Sequence, residues 1–500
     1  MRKSIVVLIV CLLLALAIAS PISADKPTYR PHLGLIGQDN VGAESGFNAE
    51  IDIVGSLAFL GTFISQDVEV GLNVVDISDP TNPTRIGALP QIARVADAKA
   101  ADLDGDGEAD TAVITNEFPG TLSSTDPSGV KDPAFQLTRQ GFVIVDVSVP
   151  TSPAEQFFQE TLVVTAPTGG VHNTFISINK GDGLCASHGS GTGQRVIVHL
   201  ATETNNYPIY DVTDTIASGG AFAPTLCSNV SLGVLNPPST GVLPGTSPAD
   251  IDAEDAVVGI HDVVVQEDPG GSGRLLAYLA YFDVGMRVVD VTDPTAPFQV
   301  GGMNYPASAG DPRMQLNHYA RPAPDGAITV SCDEIGVGRP GICRVHDTSS
   351  LLGAAIPAGP FDIIANGDNA PQVGTYTIPQ NDAPQNGQPR TFTFTHHNFD
   401  LVSDAGEDLM FMGDYAAGVR VADFSACRAA TVSDPCEMKL VAKFDIGGGP
   451  AVGTEVSEGG LDAAIPFVPP RYWGAIERDG LIYASDTVTG IWILRLVELP

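Results

Sequence analysis

The sequence predicts an all-β fold built from seven similar sheets, and three observations support this prediction. A short segment, usually opened by Gly and closed by Asp, recurs seven times, starting at residues 71, 141, 208, 285, 341, 418 and 490. Consecutive copies start 56 to 77 residues apart, which suits one four-stranded sheet with long loops per copy. The chain also contains 54 Gly and 38 Pro, as turn-rich β proteins do. Together these features predict a seven-bladed β-propeller.

The repeated segment has the character of a strand followed by its stop signal. The best copies are Gly71-Leu-Asn-Val-Val-Asp76-Ile-Ser-Asp-Pro80, Gly141-Phe-Val-Ile-Val-Asp146 and Gly285-Met-Arg-Val-Val-Asp290-Val-Thr-Asp-Pro294. Apolar and β-branched residues form the strand, and the Asp and Pro residues end it by capping the backbone and removing a donor. This pattern resembles the LVIVD repeat, found in bacterial and archaeal secreted or cell-surface β-propellers of mostly unassigned activity. The other four copies share the spacing and the hydrophobic pattern.

Alternating apolar segments separated by turn residues supply the strands of each blade in order. In blade 4, the clearest, strands are predicted at 261–266, 275–282, 286–291 and 298–303, so the repeated segment is the third strand. Blade 1 is predicted at 51–54, 57–63, 72–77 and 85–89. Blades 2, 3, 5 and 6 are predicted at about residues 96–162, 171–236, 317–378 and 395–446. Blade 7 is predicted to have strands at 473–476, 481–485 and 491–496. Segments 118–140, 237–258, 379–393 and 447–470 are predicted loops.

Blade 7 lacks an outer strand at the end of the sequence, and residues 31–38 can supply it. His32-Leu-Gly-Leu-Ile-Gly37 is similar to the outer strand Arg85-Ile-Gly-Ala88 of blade 1. We therefore expect residues 31–38 to pair with the third strand of blade 7 and to close the ring. Residues 25–500 are then predicted to form a single domain.

The N-terminal segment predicts export. Met1-Arg-Lys precedes an apolar run from Ile5 to Ala19, and small residues lead to Ala24, as in a secretory signal peptide covering residues 1–24. A membrane anchor is the alternative, but the run is short for a helix that spans a bilayer. We therefore expect a monomer that is secreted, periplasmic or attached to the cell surface, with no transmembrane segment after cleavage.

Six cysteines follow the N-terminal segment, and they form three pairs of sequence neighbours. The pairs are Cys185 with Cys227, Cys332 with Cys343, and Cys427 with Cys436. An even count in an oxidising compartment favours three local disulfides, although about fifteen connectivities are formally open. The segment between Cys332 and Cys343 is typical of a bridge across a hairpin.

The charge of the chain excludes one class of partner. Asp and Glu number 59 against 25 Lys and Arg, which gives a net charge of −34. Such a surface repels phosphate backbones, so we expect no nucleic-acid partner. A small molecule or another protein remains as the expected partner.

Strand direction predicts that several histidines meet. In antiparallel blades of equal topology, all first strands begin on the same face, beside the central channel. Five of the nine histidines occupy this position, in blades 3 to 6: His172, His261, His318, His396 and His397. The carboxylates of Asp283, Glu334 and Asp414, at the ends of second strands, are predicted on the same face. Imidazoles and carboxylates in this arrangement suit a divalent transition metal. The alternative is that the repeated histidines pack between blades as part of the repeat itself.

A second candidate metal site lies in blade 2. Its residues are Asp102, Asp104, Asp106, Glu108 and Asp110, with Gly107 at the sixth position. Carboxylates at positions 1, 3, 5 and 9 of a loop suit calcium, and Glu108 can add its backbone carbonyl. An EF-hand would carry Glu where Val113 stands, so the loop instead resembles the calcium loops of FG-GAP propeller repeats. We expect a structural calcium on the face opposite the histidines; a solvated acidic turn is the alternative.

These features predict an exported propeller that binds a ligand or a partner protein through its histidine-lined face, with a metal as a candidate component of that site. The alternative function is a metal-dependent enzyme, an oxidoreductase or a hydrolase, that uses the same histidines and carboxylates. The fold does not decide between them, because propellers carry out binding, scaffolding and catalysis.

Overall fold

The computed structural model describes residues 32–41, 46–65, 71–91, 95–118, 140–161, 169–180, 185, 194–202, 204, 206–231, 259–282, 285–304, 317–334, 341–361, 363–378, 395–404, 406–415, 417–444, 472–487 and 489–497. The predicted signal peptide at 1–24, Asp283 and nearly all of the four long predicted loops lie outside these residues. Among the described residues, no helix combines the length and the apolar character needed to cross a bilayer.

The strands form seven sheets, as predicted, and each sheet contains four main strands in simple antiparallel order; two of the sheets gain a fifth, two-residue strand. Blade 1 contains β2 (Gly46–Val54), β3 (Leu57–Ser65), β4 (Leu72–Asp76) and β5 (Thr84–Leu89). Blade 2 contains β6 (Ala98–Ala101), β7 (Thr111–Phe118), β8 (Gly141–Asp146) and β9 (Ala154–Glu160). Blade 3 contains β11 (Asn173–Lys180), β12 (Gln194–Ala201), β13 (Asn206–Asp211) and β14 (Thr225–Ser231). Blade 4 contains β15 (Ile260–Glu267), β16 (Leu275–Tyr281), β17 (Gly285–Asp290) and β18 (Phe298–Asn304).

The remaining blades follow the same order. Blade 5 contains β19 (Asn317–Pro322), β20 (Ile328–Asp333), β21 (Ile342–Asp347) and β22 (Gln372–Thr377). Blade 6 contains β23 (Phe399–Asp404), β24 (Glu407–Gly413), β25 (Val419–Asp423) and β27 (Lys439–Phe444). Blade 7 contains β28 (Tyr472–Arg478), β29 (Leu481–Asp486), β30 (Gly490–Val497) and β1 (His32–Asp39). We call the four strands of each blade A to D in these orders.

Short elements supplement the blades. The two-residue strand β10 (Gly169–Gly170) pairs with β7, and β26 (Cys436–Glu437) extends the sheet of blade 5 beyond β22. The helical segments are short and lie between strands C and D: α1 (Thr213–Ala217), α2 (Ile363–Asn366), and 3-10 turns at Ser349–Leu351, Gly353–Ala355 and Ser425–Ala429.

The A strands form a closed ring around the axis. Each A strand contacts the A strand of the next blade, and β28 of blade 7 contacts β2 of blade 1. Apolar residues of neighbouring blades form separate buried clusters between the sheets. Because every core lies between two adjacent sheets, the ring stabilises all blades together.

The repeated segment is strand C of each blade, and the structure explains the Gly that usually opens it and the Asp that usually closes it. Gly490 has a φ of 90°, and a Cβ atom there would lie 2.1 Å from the carbonyl oxygen of Asp39 on the neighbouring strand, so only Gly fits. The terminal Asp accepts a hydrogen bond from the backbone N–H two residues later. This contact occurs at Asp76, Asp146, Asp211, Asp290, Asp347 and Asp423.

The predicted closure of the ring is confirmed. Strand β1 pairs antiparallel with β30, from His32 opposite Val497 to Asp39 opposite Ile491. Leu33 of this strand is 5% exposed and belongs to the apolar core beside blade 7. A Cβ atom on Gly37 would meet the carbonyl oxygen of Pro80 at 2.2 Å, just as one on Gly87 would meet that of Pro150 at 2.1 Å. Residues 32–39 therefore occupy the position of strand D in blade 7 and make the same close contact with the neighbouring blade as strand D of blade 1 does.

The three predicted disulfides are present. Cys185 bonds to Cys227, Cys332 to Cys343, and Cys427 to Cys436. Cys332 and Cys343 lie opposite each other on β20 and β21, which confirms the bridge across a hairpin.

Candidate metal centre

The starts of the A strands carry an extra residue that turns a side chain toward the axis. The pairing of strands A and B passes over His261 in blade 4, His318 in blade 5 and Trp473 in blade 7. A residue that is inserted in this way is left out of the hydrogen-bonded pairing of the two strands, and its side chain points in a new direction. Such β-bulges are frequent next to functional sites. His172 and His397 lie just before β11 and β23, with their N–H groups bonded to the carbonyls of Ala201 and Gly413.

Four of the five predicted histidines meet in a continuous row, which we call the axial histidines: His172, His261, His318 and His397. Ring centroids are 4.2 Å apart between His172 and His261, 4.2 Å between His261 and His318, and 4.1 Å between His318 and His397. All four residues are buried. Blades 3 to 6 thus each contribute one imidazole to the same place.

Burial favours the neutral form of two of these imidazoles, His318 and His397. Desolvation lowers the pKa of His318 well below its usual value, and the neighbouring His261 and His172 lower it further because like charges repel. The pKa of His397 is lowered in the same way, first by burial and then by His318. A neutral imidazole has a free lone pair on one ring nitrogen, which is the form that binds metals.

Two glutamates approach the axial histidines. Glu334 Oε2 lies 3.4 Å from His318 Nε2, and Glu117 Oε1 lies 3.2 Å from His172 Nδ1. His261, His318 and Glu334 each offer one ligand atom, and these atoms lie within 4.8 Å of one another. Glu334 was predicted at this face, whereas Glu117 was missed. Glu117 lies near the end of a B strand, as Glu334 does, so the same argument could have found it.

Aromatic side chains pack against two members of the row. Phe282 packs on His261 with centroids 4.2 Å apart, and Trp473 packs on His397 at 4.4 Å. Tyr415 contacts His397 at 4.8 Å and donates a hydrogen bond of 2.7 Å from its hydroxyl to Glu334 Oε1. Its φ of 40° is strained for a residue with a side chain, and such strain concentrates at functional positions.

His396 and Asp414 lie in a separate buried pair. His396 Nδ1 is 2.8 Å from Asp414 Oδ1, and its ring packs on Tyr376 of blade 5 at 5.5 Å. Arg420 Nε lies 3.5 Å from Asp414 Oδ2. Since neighbouring residues of an extended chain point to opposite sides, His396 and His397 do not both face the axis.

The acidic loop of blade 2 lies between strands A and B, at the opposite end of the blade from the axial histidines. Oxygen atoms of Asp102, Asp104 and Asp106 come within 4.8 Å of one another. Backbone N–H groups of Gly105 and Gly107 donate to Asp102, which lowers the pKa of this carboxyl. Asp110 accepts a bond from the N–H of Leu103. Glu108 is exposed, and its N–H donates to Asp106.

Comparison with solved structures returns proteins of very low sequence identity, among them two β-propeller domains. The β-propeller domain of Nup133 from Vanderwaltozyma polyspora is 11% identical, with a TM-score of 0.47 and coverage of 93% of this chain and 97% of that one. The β-propeller domain of Cps50 (Swd1) from Myceliophteria thermophila is 10% identical, with a TM-score of 0.44 and coverage of 91% and 97%. The computationally designed Ika8 protein is 9% identical, with a TM-score of 0.39 and coverage of 92% and 100%.

No curated protein matches the sequence. The family model of the LVIVD repeat matches residues 65–89, 138–161 and 276–304. These segments contain the three repeat copies that carry the predicted resemblance, in blades 1, 2 and 4. The protein is therefore a seven-bladed β-propeller that carries LVIVD repeats.

Proposed function

We propose that this protein is an exported binding module whose axial histidines hold a divalent transition metal, and that the metal helps to bind a ligand or partner protein at that face. The observation that carries the proposal is the grouping of His261, His318 and Glu334, whose ligand atoms lie within 4.8 Å of one another. Two imidazoles and one carboxylate are a ligand set that zinc and similar metals use, with a further position left for a bound molecule.

The surroundings of these residues suit such a centre. Burial favours neutral imidazoles at His318 and His397, so a metal would not have to displace protons from them. The Tyr415 hydroxyl fixes one oxygen of Glu334 and leaves the other directed at His318. Partners of this kind orient metal ligands and raise metal affinity.

Export is part of the same proposal. The three disulfides are compatible with an oxidising compartment, where metal supply differs from that of the cytosol. The N-terminal pattern at 1–24 predicts the route. Detection of the mature chain outside the cytoplasm, beginning at Asp25, would support this part; a chain retained with its N-terminal segment in the cytosol would contradict it.

A metal-dependent enzyme, an oxidoreductase or a hydrolase, is the second candidate. The strained backbone of Tyr415, with its hydroxyl on Glu334, favours it, because strain and hydrogen-bonded carboxylates often mark reacting groups. Metal-loaded protein that turns over substrates in oxidation or hydrolysis screens, and loses the turnover with the metal, would favour this candidate over pure binding.

Metal analysis of purified protein tests the centre itself. We expect about one transition metal per chain in the full-length protein, and its loss in the His261→Ala, His397→Ala double variant, because ligands and their neighbours are removed. His199→Gln is the matched control, since His199 is a buried histidine of blade 3 outside the axial row. Folded protein that takes up no transition metal, or a double variant that keeps it, would contradict the proposal.

A further inference from the structure

A second set of polar side chains follows the axial positions along the A strands. In five blades, the residue that follows the axial histidine, or the residue at the same place in a blade without one, carries a side-chain oxygen that can bind a metal. We call this set the oxygen ring: Glu50, Asp97, Asn173, Asp262 and Asn398. Backbone hydrogen bonds between neighbouring blades also recur at this position: the N–H of Glu50 donates to the carbonyl of Ala96, and the N–H of Asn398 donates to the carbonyl of Trp473. All five residues are buried.

The ring connects blades across the axis. The amide nitrogens of Asn173 and Asn398 both donate to Asp262 Oδ2, at 2.8 and 3.3 Å, although they belong to blades 3 and 6. Burial raises the pKa of Glu50 well above its usual value; the nearby Lys99 ammonium lowers it, and the carboxylates of Asp97 and Asp262 raise it. In blade 7 the position is Gly474, and a Cβ atom there would lie 2.7 Å from Glu50 Oε1. The absence of a side chain therefore leaves room for Glu50.

The ammonium group of Lys99 lies beside the ring. Lys99 Nζ lies 2.5 Å from Asp97 Oδ1, and Asp97 Oδ2 accepts the N–H of Thr174. Lys99 also interacts electrostatically with Glu50 and Asp262, so one ammonium group faces the three carboxylates of the ring and leaves two negative charges in excess. Two buried negative charges of this kind are costly unless a cation or protons compensate them.

Two buried oxygens in the ring have capacity for a further ligand. Glu50 Oε2 and Asn398 Oδ1 accept no hydrogen bond from any residue that the structure describes. Their residues are 5% and 4% exposed. Buried acceptors are normally satisfied, so an unsatisfied carboxylate oxygen and an unsatisfied amide oxygen beside further carboxylates point to a missing positive partner.

We infer that the oxygen ring binds a hard divalent cation of the calcium class, one residue along the A strands from the axial histidines. Carboxylate and amide oxygens are the donors that such cations prefer, and two carboxylates balance the charge of one divalent ion. Lys99 limits the affinity, because its ammonium group competes for the same carboxylates. This site uses no imidazole, so it is independent of the transition-metal centre.

Calcium titration by calorimetry tests this inference, in a full-length chain whose acidic loop is disabled by Asp104→Asn and Asp106→Asn. We expect about one calcium ion per chain to bind, and affinity to fall at least ten-fold when Glu50→Gln is added, because the ring loses one carboxylate. Glu160→Gln, at an exposed glutamate of β9, is the matched control and should leave the affinity unchanged. Folded loop-disabled protein that binds no calcium would overturn the inference.

Lys99→Met gives an independent test if Glu50→Gln fails to fold. Removing the ammonium takes away the cation that competes for these carboxylates, so calcium should bind at least ten-fold more tightly. Unchanged or weaker binding in this variant would also overturn the inference. Transition-metal content separates the two sites: Glu50→Gln should keep the metal of the axial histidines, and the His261→Ala, His397→Ala variant should keep calcium in the ring.

Discussion

The imidazole of His397 in blade 6 packs against that of His318 in blade 5, with ring centroids 4.1 Å apart. Tyr415 joins this contact to the carboxylate of Glu334, since its ring lies on His397 and its hydroxyl bonds Glu334 Oε1. If Glu334 is a metal ligand, this hydroxyl orients it. Tyr415→Phe should therefore lower transition-metal affinity by roughly 10-fold to 100-fold without unfolding the chain.

Competition with a metal chelator measures this affinity. Tyr376→Phe is the control, because Tyr376 packs on His396 outside the axial row and should bind metal as the wild type does. Equal affinity in Tyr415→Phe and wild type would show that Glu334 is not held as a ligand.

The buried His199 should make the protein less stable in acid. It lies between Ser177 Oγ at 2.9 Å and Tyr207 hydroxyl at 2.8 Å, and burial lowers its pKa to about 3. The unfolded chain takes up this proton near pH 6.5, about three units before the folded protein does, so stability is complete above that pH and is lost as the pH falls.

The His199→Gln variant isolates this effect. Below about pH 6.5, the free energy of unfolding of the wild type should fall by up to about 1.4 kcal/mol per pH unit more than that of the variant. Urea unfolding at pH 7.5, 6, 5 and 4 measures the difference. Parallel curves over this range would mean that His199 titrates alike in both states.

The acidic loop of blade 2 should couple calcium to stability. If its carboxylates bind calcium, a calcium concentration of 100 Kd raises the free energy of unfolding by about 2.7 kcal/mol, and Asp104→Asn removes most of this gain. Thermal unfolding with and without calcium measures it in the Glu50→Gln background, which weakens calcium binding at the oxygen ring. Asp293→Asn is the control, since Asp293 is an exposed turn residue that bonds Thr295. Equal calcium responses in both variants would assign the loop as a solvated acidic turn.

Ring closure should depend on Leu33. This residue is 5% exposed on β1, whereas Leu35 on the same strand is 52% exposed. Leu33→Ala should cost about 2–5 kcal/mol because it leaves a cavity in the core of blade 7, and Leu35→Ala should cost less than about 0.5 kcal/mol. Chemical denaturation compares the two variants. Equal losses would indicate that β1 contributes backbone pairing without core packing.

The sequence carried enough information for the ring, because the repeated segment fixes one strand per blade and the spacing supplies the others. The closing strand followed from the similarity of residues 31–38 to Arg85-Ile-Gly-Ala88. Both features are local patterns that can be recognised in a single sequence. The three cysteine pairs were predictable for the same reason, because each bridge joins residues that are neighbours among the cysteines.

The site was harder to predict, because it depends on side-chain direction. Sequence position alone predicted that His396 and His397 lie together. Because side chains alternate along an extended chain, His397 faces the axis, whereas His396 faces Tyr376 and Asp414. A signal was present, since His172, His261 and His397 each precede Asn or Asp, as His396 does not. The oxygen ring was missed, because its members become equivalent only when the bulges that begin the A strands are aligned.

Blade 7 joins residues 32–39 to residues 472–497, so its hydrogen bonds connect the two most distant described parts of the sequence. Closing so long a loop has the largest entropic cost of any pairing in the molecule, and contacts between remote segments form slowly. We therefore expect this sheet to be the last to assemble during folding. Trp473 then reaches His397 in that final step, so the imidazole at this end of the row gains its indole neighbour only when the chain has become a circle.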